Sequence, residues 1–350
     1  MLRSTQIAIP TLVRIKPGAL ERIGVYARRG DYARTVLFCT QDLSAELSRR
    51  LVKALINEDV QVLKVIEVGA ASFDQANAIF HDLPAKTDLL IGFGGGRALD
   101  VAKYVAFLSR LPYIAVPTAL SNDAFCSPQA SLEGKGIKKS YPATMPYGVV
   151  VDTDVTRQAP EVLWLSGVGD LVSKFTAIYD WKLASKREGG QINDFAALLS
   201  DSTVFQFIAH STRDLDGMRL LAIALMLNGI AMGVCGSSRP ASGSEHLISH
   251  ALDTVSRKPR LHGLQVGIAT YLVSQLQEGV KTDRIRALFD AVGFWKAFQG
   301  DPLIREEWEK AFQIAPFMKG DFYTVLSEGD RTAELLQIMD TDPRLKDIVQ

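Results

Sequence analysis

Four side chains after Pro160 stand out as ones that could bind a metal ion or move protons. They are Asp170 in SGVGDLVSK, His246 and His250 in SGSEHLISHALD, and His262 in RLHG. His246 and His250 are four residues apart, so on a helix they share one face about a turn from each other. Two imidazoles and a carboxylate, with a fourth position left open to water or substrate, are a common catalytic zinc set. Spacing alone leaves a second reading open, because a histidine pair on an apolar helix can also pack or face solvent with no ligand. His81 and His210 have no such neighbours and read as surface or core residues.

A different chemistry is written in GFGGGRALDVAK (92–103), where an apolar run passes through glycines into a helical pattern. At such a junction the amides of Gly94, Gly95 and Gly96 can approach a diphosphate at the positive end of the helix, where any Cβ would hold it away. The dinucleotide fingerprint is incomplete, because Arg97 stands where its last glycine belongs. A glycine-rich turn with no ligand therefore remains an alternative. Asp100 in the first turn can favour the helix dipole or orient the loop. A second loop, PTALSNDAFCSP (117–128), also follows an apolar run and offers Thr118, Ser121 and Ser127 as donors. Loops at neighbouring strand ends form one cleft.

These residues need elements to hold them. The first part alternates β-branched runs with helical patterns: TVLFCT (35–40), a helix over 42–57, VQVLKVIEV (60–68), a helix over 74–82, DLLIGFG (88–94), a helix over 98–109 and YIAVPT (113–118). Strands separated by helices imply right-handed crossovers and a parallel sheet covered on both faces. The pattern predicts an α/β class chain whose N-terminal part is a Rossmann-like parallel-sheet domain. A hairpin signal at 131–141 and the run VVVDTDVTRQAP (149–160) close it. After Pro160 helical patterns continue to the end: 170–186, 215–234, 245–255, 266–277, 282–292 and 306–312. The expected division is 1–157 for the dinucleotide-binding domain and 158–350 for an all-helical domain that binds metal and substrate.

Composition narrows the partners. Lys plus Arg equals Asp plus Glu at 39 each, so no global positive field draws the chain to nucleic acid or an anionic membrane. A small molecule is the expected partner. Cys39, Cys126 and Cys235 are sparse, odd in number and without CxxC spacing, which fits buried thiols in a reducing compartment. The N-terminus lacks an apolar run followed by a small-residue cleavage site, and a cytoplasmic location is expected. The most apolar stretch, Leu220–Cys235, is shorter than the roughly 20 residues a crossing needs and carries Asn228, Gly229 and Gly233. It reads as a buried helix of the helical domain.

The ordered runs GGGRALDVAKY, PTALSNDAFCSP, GVGDLVSKFTAIYDWKLA, SGSEHLISHALD and LHG resemble the sn-glycerol-1-phosphate dehydrogenases, over roughly residues 10–280. That family sits in a superfamily with glycerol dehydrogenase, the iron-containing alcohol dehydrogenases and 3-dehydroquinate synthase. The resemblance implies Asp170, His246 and His262 as ligands of one divalent ion, zinc or else nickel or iron. It implies His250 and Asp123 as residues near the substrate. Around NAD or NADP it implies Gly94, Gly95, Gly96, Arg97, Ala98, Asp100, Thr118, Ala119, Leu120, Ser121 and Ser127.

One departure matters. Iron-containing alcohol dehydrogenases have a histidine four residues after the metal aspartate, where this chain has Lys174. Dehydroquinate synthases have glutamate at the Asp170 position. The implied reaction is the interconversion of dihydroxyacetone phosphate and sn-glycerol 1-phosphate, a step of phospholipid metabolism, in a homo-oligomer. Its rivals are a glycerol or other polyol dehydrogenase, and a dehydroquinate-synthase-like cyclase or lyase that uses NAD transiently. A phosphate needs cations, and Arg257, Lys258 and Arg260, or Lys135, Lys138 and Lys139, can supply them or be solvated charge. An acidic Asp42 after the first strand leaves NAD and NADP undistinguished.

Overall fold

Runs such as LLIGFG and GVVVD are apolar at successive positions, which suits strands covered on both faces rather than on one. The computed structural model, which describes residues 8–41, 43–134, 136–277 and 281–350, places them inside a six-stranded parallel sheet. Asp42 and Lys135 lie outside the described residues. The elements run β1 (Leu12–Lys16), α1 (Ile23–Arg29), β2 (Arg34–Thr40), α2 (Ala45–Ile56), β3 (Gln61–Val68), α3 (Phe73–His81), β4 (Leu89–Gly94), α4 (Gly96–Ser109), β5 (Tyr113–Pro117), β6 (Gln129–Gly134), β7 (Ile137–Pro142), β8 (Gly148–Asp152) and α5 (Thr153–Gln158).

The sheet order is β1-β8-β5-β4-β2-β3, and β6 pairs with β7 in an antiparallel hairpin. Every position of β4, β5 and β8 is buried, whereas β3 at the sheet edge exposes Val65. The chain winds outward from β2 to β3 and then returns to lay β4 on the other side of β2. That reversal opens a crevice at the carboxyl ends of β2 and β4, the place where open α/β sheets take ligands. Two elements carried no clear signal: β1 is only LVRIK, with two cations in five residues, and α1 is a seven-residue helix. The end of the run 149–160 is helical, because Asp152 accepts the amides of Asp154 and Val155 and caps α5.

Helices follow: α6 (Glu161–Val172), α7 (Lys174–Glu188), α8 (Asp194–Ile208), α9 (Leu215–Cys235), α10 (Ser244–Val255), α11 (His262–Leu276), α12 (Thr282–Val292), α13 (Arg305–Ile314) and α14 (Thr332–Thr341). The single helix expected over 170–186 is two. Ser173 Oγ donates to the Asp170 carbonyl at 2.7 Å, and this local bond breaks the helix between α6 and α7. Asp170 therefore ends one helix instead of starting another.

The chain forms two compact units, one of residues through Ala159 with Arg213–Val234, the other of Pro160–Thr212 with Cys235–Gln350. The longest helix thus belongs with the sheet and not with the helices around it in sequence. At 21 residues it matches the helical pattern over 215–234, and the whole helix, unlike its apolar core Leu220–Cys235, is long and apolar enough to cross a membrane. In that apolar window 67% of the residues are buried within the protein, as in a core helix.

Candidate metal centre and dinucleotide loops

In the second unit the metal candidates ride on three helices: Asp170 on the last turn of α6, His246 on the first turn of α10 and His262 at the start of α11. Glycines let α6 and α11 meet closely enough for this. A Cβ on Gly263 would stand 1.8 Å from the Ser166 carbonyl oxygen, and one on Gly169 would stand 2.1 Å from that of Gly263. One potential ligand atom from each of Asp170, His246 and His262 lies within 4.8 Å of the others. Asp170 is 1% exposed and His246 8%, while His262 is half-buried. The His250 ring joins the cluster at the rim, 6.1 Å from the His262 ring and 6.5 Å from that of His246.

Each candidate imidazole is held from behind. His246 Nδ1 lies 2.8 Å from Glu245 Oε1. A carboxylate placed at Nδ1 accepts its proton, which would leave the Nε2 lone pair for a metal ion; Nε2 faces Asp170 Oδ1 at 3.6 Å. His262 Nδ1 is 3.2 Å from Ser249 Oγ, which Gln265 Nε2 also holds at 3.1 Å. Glu245 is fully buried and accepts as well from the Gly243 amide and Thr176 Oγ1.

Burial by itself would raise the Asp170 carboxyl, but Lys174, a hydrogen bond from His246 and the charge of His262 outweigh it and hold it well below the usual carboxylate range. Burial likewise pulls the His246 imidazolium down, and hydrogen bonds to Asp170 and Glu245 overcome it and raise His246. Lys174 is fully buried, 3.5 Å from Asp170 Oδ1, and donates to Ser173 Oγ and the Ala241 carbonyl. An ammonium has no lone pair to ligate a metal. Among the described residues Asp170, His246 and His262 thus form a candidate ligand set, and the chemistry of one carboxylate with two oriented imidazoles fits a divalent transition metal.

In the first unit the glycine turn leaves β4 at the crevice. Gly94 has φ +134°, and a Cβ there would meet Thr40 Oγ1 at 2.1 Å. The Gly95 amide donates to Thr40 Oγ1 at 2.9 Å. Around Gly95 and Gly96 the nearest atoms to an added Cβ are 3.8 Å or more away, so protein atoms leave this cradle open. Gly95 is the N-cap of α4 without a side chain capping it, which leaves the helix end to an anion.

The other expected cofactor residues divide into two groups. Arg97 is exposed and donates to the Gly69 carbonyl beyond β3, Thr118 donates its amide to the Gly94 carbonyl, and half-buried Ala119 and Ser121 follow it. Asp100, Ser127, Ala98 and Leu120 are buried. Asp100 pairs with Lys103 at 3.2 Å, and burial still pushes its carboxyl up. Lys103, fully buried, also donates to Ser127 Oγ and to the carbonyls of Ala124, Ser127 and Gln129. These bonds pin the 117–128 loop to α4, so Asp100 and Ser127 shape the loop from inside. Asp123 opens a single 3₁₀ turn in that loop, and its carbonyl accepts from Cys126 and Ser127. Thr40, Asn122 beside Gly96, Lys103 and Glu245 were not singled out by motif. Only the position of Glu245 next to a candidate ligand histidine could have signalled it.

Comparison with known proteins gives a consistent result. The sequence profile of the iron-containing alcohol dehydrogenase family matches residues 14–160. Glycerol-1-phosphate dehydrogenase [NAD(P)+] of Aeropyrum pernix is 35% identical over 346 residues, covering 95% of this chain and 96% of that protein. The enzyme of the same name from Pyrococcus furiosus is 35% identical over 317 residues, covering 88% and 90%. Among solved structures, glycerol dehydrogenase from Schizosaccharomyces pombe superposes with a TM-score of 0.73 at 19% identity, covering 98% of this chain and 92% of that one. At that identity the likeness speaks to the fold.

Proposed function

The chain belongs to the glycerol-1-phosphate dehydrogenase family, and from that premise we propose that it is a metal-dependent NAD(P)-linked oxidoreductase interconverting dihydroxyacetone phosphate and sn-glycerol 1-phosphate. The observation that carries this reading is the convergence of Asp170, His246 and His262, from three helices, in a chain aligned with such enzymes over nearly its whole length.

When bound, the metal ion supplies Lewis acidity at the substrate carbonyl and the reduced nicotinamide supplies the hydride. Gly94–Gly96 and the α4 terminus bind the diphosphate, with Thr118, Ala119 and Ser121 bordering the same strand end. Asp170 brings the negative charge of the ligand set, and Glu245 keeps His246 Nε2 free to ligate. His250, at the rim of the cluster, takes or gives through a ring nitrogen the proton that balances hydride addition to the carbonyl. We assign Asp123 to substrate contact on the strength of the family motif. The donor set suits zinc, with nickel and iron as the other candidates. Free thiols at Cys39 and Cys126, both buried, and at half-buried Cys235 fit a reducing compartment such as the cytoplasm.

The test is elemental analysis paired with turnover. The wild type should carry about one divalent ion per chain and oxidise NADH or NADPH when dihydroxyacetone phosphate is added. His262→Ala should be folded, depleted of metal and inactive. Full occupancy and activity in that variant would remove the site.

A further inference from the structure

The substrate of the proposed reaction carries a phosphate, and none of the residues placed so far holds it. Of the cations in the sequence clusters, Arg260 is engaged, donating to the carbonyls of Asp301 and Pro302 and pairing with the Asp301 carboxylate at 3.2 Å. Arg257 and Lys258 are exposed, and Lys138 and Lys139 are exposed on the β7 strand of the other unit.

A different pair lies in the second unit, beyond the reach of any motif. The Arg239 guanidinium carbon sits 3.7 Å from the centroid of the Phe322 ring, and Nη1 donates to the Tyr323 carbonyl at 2.6 Å. Lys319 Nζ is 4.1 Å from the centroid of the same ring and donates to Ser238 Oγ at 2.5 Å. Among the described residues neither cation makes an ion pair. The acids whose charge they feel, Glu188 and Asp180 for Arg239 and Glu245 for Lys319, lie beyond pairing distance. One aromatic ring does not neutralise two cations. Burial pulls the Lys319 ammonium down to about 8, with the Arg239 charge adding to it, and burial also lowers Arg239. Arg239 is nonetheless half-buried and Lys319 exposed as a whole residue, so a ligand from solvent reaches both.

This pair is tied to the metal candidates by one short segment. The Ser238 carbonyl accepts the amides of Ala241 and Ser242, the Ala241 carbonyl accepts from Lys174, and Gly243 donates to Glu245. Lys174 in turn pairs with Asp170. The chain between α9 and α10 therefore carries Arg239 and Ser238, to which Lys319 bonds, at one end and the support of His246 at the other.

We propose that Arg239, Lys319 and the Ser238 hydroxyl form the subsite for the phosphate of the substrate. Two mutually repelling, partly desolvated cations and a hydroxyl are completed by a dianionic phosphate, with the guanidinium fork and the ammonium donating to its oxygens. The assignment rests on dihydroxyacetone phosphate being the substrate. Free inorganic phosphate shares the chemistry and serves as an independent probe.

The experiment uses the metal-loaded enzyme and the variants Lys319→Met, Arg239→Gln and Lys319→Arg. The ratio of specificity constants for dihydroxyacetone phosphate over dihydroxyacetone should fall about tenfold or more in the first two, mainly through KM. Lys319→Arg should restore most of it. Calorimetry should show inorganic phosphate binding to the wild type and not to Lys319→Met, which removes the charge at a near-isosteric side chain and decides the matter if Arg239→Gln does not fold. An unchanged ratio, equal losses for both ketones, or phosphate binding that survives in Lys319→Met would overturn the subsite. If the wild type shows no preference for the phosphorylated ketone while phosphate binding still depends on Lys319, the substrate reading fails and the anion site stands.

Discussion

Glu245 Oε1 lies 2.8 Å from His246 Nδ1 and 2.6 Å from the Gly243 amide, so one fully buried carboxylate decides which nitrogen of His246 looks toward Asp170. The expected consequence is a metal centre that depends on a residue that does not itself ligate. Glu245→Ala should weaken metal affinity by about 10–100-fold, the range seen when the hydrogen-bond partner of a ligating histidine is lost. Competition with a fluorescent chelator reads this directly, without any turnover. An unaltered affinity would mean that the three helices alone orient His246.

A second prediction follows from Asp180, which accepts from Ser244, Gln277 and Val325 and is fully buried. Burial and the neighbouring Glu245 charge raise its carboxyl to about 7, against about 3.9 for an unfolded aspartate. Between those values the folded chain holds a proton that the unfolded chain has lost. The contribution of Asp180 to stability therefore falls as pH rises from 4 to 7, and the full cost of the buried charge is present above 7. Carbon-13 titration of aspartate-labelled protein should show one carboxyl with a midpoint near 7 that vanishes in Asp180→Asn. Titration of every aspartate below pH 5 would contradict it.

The sheet and the two loops at its carboxyl end were legible because their signals are local. Apolar runs such as LLIGFG bound strands, and a glycine run before a helical pattern marks the turn. The helix break at Ser173 was not legible, since it comes from a side chain bonding its own helix rather than from a change in hydrophobic period. Nor was the grouping of α9 with the sheet, because helix periodicity names a buried face but not the surface that covers it. The same limit hid Lys103, whose five polar contacts come from residues 3 to 26 positions away. Arg239 and Lys319, 80 positions apart, are brought together by the Phe322 ring and by the bond from Lys319 to Ser238.

The open space around Gly95 gives a third prediction. The Cβ of a valine there meets no protein atom closer than 3.9 Å, and its branches extend into the space assigned to the diphosphate. Gly95→Val should fold normally and lose cofactor affinity sharply. Fluorescence titration with NADH and NADPH checks this, and retained binding of both would place the diphosphate elsewhere.

The most direct measurement for the whole account is the rate of NADH and NADPH oxidation by the metal-loaded protein with dihydroxyacetone phosphate and, separately, dihydroxyacetone. Contacts to the carbonyl and hydroxyls are common to both ketones, so only the phosphate discriminates. Each charge-assisted hydrogen bond to it contributes about 1.5–3 kcal/mol, roughly tenfold or more in the specificity constant. The account predicts a preference of at least that size for the phosphorylated ketone, with sn-glycerol 1-phosphate as the product. Equal constants, or a better rate with dihydroxyacetone, would contradict it and leave a polyol dehydrogenase in its place.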